Sequence, residues 1–213
     1  MGIDIKDHDL PCDTHNTYDV YFFEDTIFTT VTHDPDIVSE WISEITSVHR
    51  RRLRSLIVGL DVEWRPSFTR HHQNPVATLQ LCVGRRCLIY QLIYSRYIPE
   101  SLVDFLSEED FTFVGVGIKS DLEKLDKDYG IGGDAHAVEL GKRAADEYDR
   151  KELKNTGLKG LSSFVLRREL EKPKRVTMGR WDNRWLTEDQ VLYACVDAFV
   201  SFEIGRILNA SDY

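Results

Sequence analysis

Five residues of this chain have the types and spacing to do chemistry together: Asp61, Glu63, Asp121, Tyr193 and Asp197. The first two lie in Ile57-Val58-Gly59-Leu60-Asp61-Val62-Glu63-Trp64, a run that reads as a strand. Side chains alternate along a strand, so Val58, Leu60, Val62 and Trp64 share one face while Asp61 and Glu63 share the other. Two neighbouring carboxylates on a hydrophobic strand repel each other and are costly to desolvate, and a divalent cation between them offsets both costs. The plainer alternative is a strand that ends here with both acids in water. Spacing alone decides little, because an Asp-x-Glu arises by chance about once in a chain of this length. Asp121-Leu122-Glu123 is a second copy, but it falls on a predicted helix, where positions two apart diverge.

Asp121 follows Phe113-Val114-Gly115-Val116-Gly117, a predicted strand that runs through a glycine into a helix. That places it in the helix's first turn, where the helix dipole alone is sufficient reason for an acid. Tyr193-Ala194-Cys195-Val196-Asp197 lies on the last predicted helix, with the phenol and carboxylate four residues apart on one face, which also carries Gln190. A surface ion pair is the simple account of Asp197. Its neighbours Val196, Ala198 and Phe199 argue otherwise, since an acid in so apolar a helix needs a strong partner.

These residues require elements to hold them. Residues 1–16 are polar and aperiodic, and read as a loose arm ahead of a single domain over 17–213. Tyr18–Phe23 and Ile27–Thr32 suggest a hairpin, and Asp34 or Pro35 opens a helix that ends in the basic cluster Arg50–Arg54. Strands are predicted at Leu56–Trp64, Val76–Val83 and Cys87–Leu92 as an antiparallel meander, then at Thr112–Val116 and Ala137–Leu140. Helices are predicted at Pro99–Leu106, Lys119–Tyr129, Lys142–Arg150 and Leu158–Leu170, with a last one opening at Thr187 and Glu188. Strands first, then alternating strands and helices, give an α/β domain with a mixed sheet.

Composition sets the bounds. The 213 residues are 42% hydrophobic and 30% charged, typical of a globular domain, and no apolar run approaches a membrane span. The start carries no secretory signal, which points to the cytoplasm or nucleus. Cys12, Cys82, Cys87 and Cys195 show no zinc spacing and read as reduced thiols, with Cys82 and Cys87 facing each other across a hairpin. The net charge of −9 excludes a generic basic nucleic-acid surface. It is compatible with an enzyme that holds a few nucleotides through divalent ions and needs carboxylates for them.

Three ordered motifs carry a resemblance: Gly-Leu-Asp-Val-Glu-Trp, Phe-Val-Gly-Val-Gly-Ile-x-x-Asp-x-x-Lys-Leu and Leu-Thr-x-x-Gln-x-x-Tyr-Ala-x-x-Asp-Ala. Together, from about Val58 to Ile207, the chain resembles the exonuclease domain of the Werner syndrome protein and ribonuclease D, in the tyrosine-containing branch of the DEDD superfamily. The histidine branch would place His one position before Tyr193, where Leu192 stands. Val138-Glu139-Leu140 departs from the Asp-Leu pair of relatives and receives no metal role. Small stand-alone relatives of this kind are similar to plant proteins, and ring-like homo-oligomers are one arrangement open to such short chains.

The resemblance implies a ribonuclease H-like α/β fold, a mixed central β-sheet flanked by α-helices. It implies a metal-dependent 3′-5′ exonuclease with two Mg²⁺ or Mn²⁺ ions per active site, acting on single-stranded nucleic acid; the sequence does not settle RNA against DNA, and RNA is weakly favoured because no helicase or DNA-binding module accompanies the domain. Asp61 would bridge both ions, Glu63 and Asp197 complete the first, Asp121 support the second, and the ions stand about 3.5–4 Å apart. Tyr193, an unperturbed phenol of pKa about 10, would orient the attacking water rather than remove its proton. Trp64 is a candidate for stacking on the terminal base, with a core role the equal alternative. Arg50–Arg54, Arg85, Arg86 and Lys172–Arg175, with Lys174 and Arg175 foremost in that last run, are candidate phosphate contacts. Two competing functions stay open on the sequence: a catalytically silent binding or scaffold relative of the same fold, and a phosphoesterase acting on small nucleotides.

Overall fold

Eight short runs of β-branched and aromatic residues assemble into one sheet in the computed structural model, which describes residues 2–67 and 73–212. Met1 and Tyr213, the outer limits of the predicted arm and domain, lie outside the described residues. The strands are β1 (Ile3–Asp7), β2 (His15–Phe22), β3 (Asp25–Thr32), β4 (Leu56–Glu63), β5 (Thr78–Val83), β6 (Arg86–Tyr90), β7 (Phe111–Gly115) and β8 (Ala137–Glu139). Their spatial order is β1-β2-β3-β6-β5-β4-β7-β8. The pairs β3–β6, β4–β7 and β7–β8 are parallel and the others antiparallel, so the sheet is mixed as the sequence predicts. All six residues of β5 are buried, as expected of a strand covered on both faces. Cys82 and Cys87 are cross-strand partners with free thiols.

Two helical layers cover the sheet. On the face of Val58 and Leu60 lie α1 (Pro35–Val48) and α2 (Glu100–Ser107), joined through Trp41, Phe105 and Phe113 with ring centroids 6.3 and 6.0 Å apart. Helix α1 begins where predicted: Asp34 accepts a hydrogen bond from the Asp36 N–H, and Pro35 occupies a first-turn position that needs no amide donor. The chain then runs through α3 (Ile118–Tyr129), α4 (Leu140–Tyr148), α5 (Leu158–Leu161) and α6 (Lys174–Thr177) to α7 (Glu188–Ile207). Helix α7 lies across the other face of the sheet, capped by a reciprocal Thr187–Gln190 box. Its buried positions run around its whole circumference, which marks it as a central helix.

Two predictions are corrected. Residues 3–7 are no loose arm: Ile3 and Ile5 alternate inward, and the segment pairs with β2 as the sheet's edge strand. Helix 158–170 is cut short. Helix α5 gives way to a π-helical turn over Ser162–Leu166 and stops at Arg167, whose φ of 57° is left-handed. The Ser162 hydroxyl then donates to the Arg168 carbonyl (2.8 Å), and Arg168 pairs with Glu24, so the chain leaves the helix toward the β2–β3 turn.

The seat of α7 on β4 depends on Gly59. A Cβ at that position would stand 2.0 Å from the Ala198 carbonyl oxygen and 2.7 Å from the Phe202 nitrogen, both backbone atoms that cannot swing aside. Ala198 follows Asp197, and Gly59 precedes Asp61 by one pleat on the same face, so this contact sets how far apart those two acids stand. Gly59→Ala is expected to cost about 3 kcal/mol, the upper range for overpacking a filled core, measured by urea denaturation. A loss under about 0.5 kcal/mol, that of an ordinary surface change, would show that α7 does not seat this closely.

Candidate active site

Strand β4 ends with its two acids on the face that α7 covers. Asp61 stands opposite Gln80, and Glu63 opposite Thr78, as cross-strand partners. Gln80 is fully buried and its amide donates to the Thr78 hydroxyl (2.6 Å), while its Oε1 finds no partner among the described residues. From α7, Tyr193 and Asp197 enter one turn apart on one face, as the i, i+4 spacing requires. Asp197 is only 4% exposed. Its strong partner is Lys172, whose ammonium donates to Asp197 Oδ2 (2.5 Å), stands 3.3 Å from the Tyr193 hydroxyl and lies 5.3 Å from the centroid of that ring. Trp181, fully buried, packs against Tyr193 with ring centroids 6.1 Å apart.

The electrostatics tie the group together. Burial, then the charges of Asp197 and Asp121, push Asp61 well above the ordinary carboxylate range, against the pull of Lys172. Burial and Asp61 raise Glu63 to about 10. Burial raises Asp197 although Lys172 opposes it. Burial draws Lys172 down, but Asp197, Asp61 and Glu63 outweigh it and hold the ammonium charged. Asp121 is raised to about 7 by burial and by Glu139. Asp121 lies in the first turn of α3 as predicted, where the helix dipole favours an acid; the N-cap, Gly117, is left-handed (φ 78°) and offers no side-chain cap. The Gly117 N–H instead donates to Glu139 Oε2 (2.9 Å), which brings that carboxylate beside Asp121. Burial and the negative charges of Asp197, Glu63 and Asp61 push the Tyr193 phenol far above its usual value, so it remains a protonated donor.

This donor set fits a hard divalent cation. Among the described residues no three carboxylate, histidine or cysteine side chains stand as a ready-made cage. Yet four acids repel one another against a single ammonium, and the orphaned Gln80 oxygen lies across the ladder from Asp61. Excess buried negative charge and spare oxygen lone pairs are what Mg²⁺ or Mn²⁺ satisfies.

The predicted substrate residues scatter. Trp64 is half-buried, with the Lys124 ammonium 5.2 Å from its ring centroid and its body against the core. Arg85 pairs with Asp25, and Arg86 with Glu44 (3.0 Å) and over the Phe28 ring (4.9 Å). Both sit at the β5–β6 turn, level with the start of β4, and Arg50–Arg54 precede that strand. All of these arginines are at the sheet end opposite the acids. Lys174 is exposed on α6. Arg175 pairs with Asp189 and lines a cavity of about 430 Å³ that also reaches Tyr193 and Asp197. Gln80 and the partnership of Lys172 with Asp197 were missed from sequence. A glutamine inside an otherwise apolar strand was the available signal for the first; the second joins residues 25 apart across an irregular segment, and nothing local marks it.

Comparison with known proteins gives a family and a fold. The sequence profile of a family described as 3′-5′ exonuclease matches residues 29–211. An Arabidopsis thaliana 3′-5′ exonuclease is 33% identical over 161 residues, covering 71% of this chain and 52% of that protein. The mouse bifunctional 3′-5′ exonuclease/ATP-dependent helicase WRN is 34% identical over 154 residues, 72% of this chain and 11% of that protein. The chain thus spans about half the length, or less, of these curated relatives. Among solved structures, the Aedes aegypti Nibbler EXO domain superposes with a TM-score of 0.67 at 18% identity, over 85% of this chain and 87% of that one. Escherichia coli RNase D gives 0.65 at 17% identity, over 85% of this chain and 44% of that one. At those identities the likeness concerns the fold, and the fold is ribonuclease H-like.

The raised carboxylates make stability depend on pH when divalent ions are chelated. Asp121, Glu63 and Asp61 bind protons more tightly folded than unfolded, so their contribution is complete below about pH 4 and is lost as pH rises. For Asp121 the loss runs through about 7, and for Glu63 through about 10. In EDTA the melting temperature should therefore fall between about pH 5 and pH 8, and Asp121→Asn should flatten that fall. Adding Mn²⁺ at the upper pH should raise it again, since a ligand of the folded state stabilises it. A melting temperature that climbs over this window in EDTA would show that the acids do not repel one another.

Proposed function

The chain belongs to the 3′-5′ exonuclease family, and from that premise we propose that it shortens single-stranded nucleic acid from the 3′ end, one nucleotide at a time, by metal-dependent hydrolysis. The observation that supports this reading is the group of mutually repelling carboxylates at the end of β4, with a protonated tyrosine hydroxyl on the same side.

In this reading Asp61, Glu63, Asp121 and Asp197 hold two Mg²⁺ or Mn²⁺ ions. Such ions supply Lewis-acid stabilisation of the charge that builds on a phosphodiester during displacement. The chain's own residues do the rest. Tyr193, kept protonated by its surroundings, orients the attacking water by hydrogen bonding and does not serve as the base. Lys172 holds the Asp197 carboxylate and the Tyr193 hydroxyl in one position through its two contacts. Trp181 braces the Tyr193 ring, which limits the positions its hydroxyl can take. The water oxygen becomes bonded to phosphorus, the 3′-oxygen of the preceding nucleotide leaves as a hydroxyl, and a nucleoside 5′-monophosphate is released.

The test uses 5′-labelled single-stranded RNA and DNA of equal sequence, each with Mn²⁺ or EDTA. The expected result is a metal-dependent ladder shrinking from the 3′ end, and the faster of the two identifies the polymer. Asp197→Ala is expected to abolish the ladder. Tyr193→Phe is expected to slow turnover about 10²-fold, the scale of a lost positioning group, with the fold retained by circular dichroism. Absence of a ladder on both polymers from folded wild-type protein would overturn the reading in favour of a binding or scaffold role.

A further inference from the structure

Trp185 is 65% exposed, whereas among the described residues the other three tryptophans are buried or half-buried. It lies in the loop between α6 and α7, next to the exposed Arg184. The Arg184 guanidinium stands 5.7 Å from the Trp185 ring and 5.8 Å from the Tyr94 ring. Among the described residues it has no carboxylate partner.

The loop itself is held firmly. The Gln91 amide donates to the Asn183 and Arg184 carbonyls (3.2 and 3.1 Å), the Tyr94 hydroxyl donates to the Asp182 carbonyl, and Arg65 pairs with Asp182 (3.1 Å). An exposed Trp–Arg pair on a fixed backbone is a surface whose ordering cost has already been met by the fold.

Its place relative to the acids follows from the sheet. Gln91 immediately follows β6, which runs in the same direction as β4 and lies two strands away, and His33 follows β3, one strand further. At about 4.8 Å per strand this puts the loop roughly 10–15 Å from Glu63, at the same end of the sheet. That is about three to four nucleotides of stacked strand at roughly 3.4 Å each. A cavity of about 170 Å³ opens beside the pair, lined by His33, Gln91, Arg184 and Trp185.

We propose that Arg184 and Trp185 form a stacking platform for single-stranded nucleic acid, gripping the strand on the 5′ side of the nucleotide being removed. The proposal rests on the exonuclease reading above, which supplies the direction of the strand. Rings and a guanidinium plane bind bases of any sequence, as an enzyme that shortens a strand step by step requires. In a chain of net charge −9, general attraction for phosphate does not hold a strand, and a local platform of this kind does.

The test compares wild type with Trp185→Ala, Arg184→Ala and Trp185→Phe in the full chain. Affinity for a labelled single strand of roughly twelve nucleotides, within the range bound by single-strand modules, is read by fluorescence anisotropy in Ca²⁺. Hydrolysis of a dinucleotide is read in Mn²⁺. Each alanine variant is expected to bind the long strand about 10-fold more weakly, within the range for a lost stacking contact, with dinucleotide turnover unchanged. Trp185→Phe is expected to retain most of the affinity. Unchanged long-strand affinity in the alanine variants would overturn the proposal, as would an equal loss on both substrates. So would a wild type that self-associates through Trp185 while strand affinity is untouched, which would make this a protein contact. If wild type hydrolyses neither substrate yet binds the long strand through Trp185, the platform stands and the exonuclease reading falls.

Discussion

Helix α7 lies so close to β4 that the Ala198 carbonyl occupies the space a side chain at residue 59 would need. That contact carries consequences across the molecule. It brings Asp197, one residue along the helix, to the face where Asp61 and Glu63 project. Three carboxylates then stand together, Asp197 buried and Asp61 and Glu63 half-buried, and the fold must supply positive charge to hold them. Burying a charge without a partner costs far more than a packing contact returns, so this group is a liability to a protein that has no use for it. Burial and the neighbouring charge of Asp61 raise Glu63 to about 10, so the arrangement resists its own ionisation. Repulsion of this kind, kept in place by a well-packed core, is what the proposed divalent ions would relieve.

Lys172 answers part of that demand. Its segment leaves α5 through a π-turn and a left-handed Arg167, then returns at Pro173 to open α6. It is this irregular segment that carries Lys172 to Asp197. One ammonium cannot neutralise four acids. It fixes Asp197 and the Tyr193 hydroxyl while leaving Asp61, Glu63 and Asp121 in excess. Glu139 adds to that excess from the end of β8, and its hydrogen bond to the Gly117 amide keeps it near Asp121.

Sequence revealed most of the scaffold for definite reasons. The alternation in β4 and the i, i+4 spacing on α7 are local patterns, and both survive folding because each element keeps its own period. The strands of the meander and the start of α1 at Asp34 were legible for the same reason. What failed to show were relations between distant segments. Ile3–Asp7 is too short and polar to declare itself a strand, and becomes one only because β2 offers an open edge. The end of α5 depends on Ser162 and on Glu24, which lies at the other end of the chain. Arg85 and Arg86 looked like phosphate contacts as a basic pair, yet the antiparallel turn of β5 into β6 carries them away from the acids.

On the proposed function, the same topology would let an acidic chain handle an anionic polymer. Parallel β3, β6 and β4 point one way, so the segments that follow them gather at one end of the sheet, and function concentrates there in open α/β sheets. At the opposite end Arg85 and Arg86 are consumed by Asp25 and Glu44 and contribute to holding β3 and α1 in place. At the acid end Arg184 faces rings instead of carboxylates, and Arg65 and Arg180 share Asp182, which fixes the loop that carries Arg184. Exposed cationic and aromatic surface at Arg184 and Trp185 therefore lies at the same end of the sheet as the carboxylates. A net charge of −9 keeps the rest of the surface from competing for the strand. On the proposed function, a nucleic acid held this way would be gripped near its end and weakly elsewhere, the distribution of affinity that lets an enzyme advance after each cut.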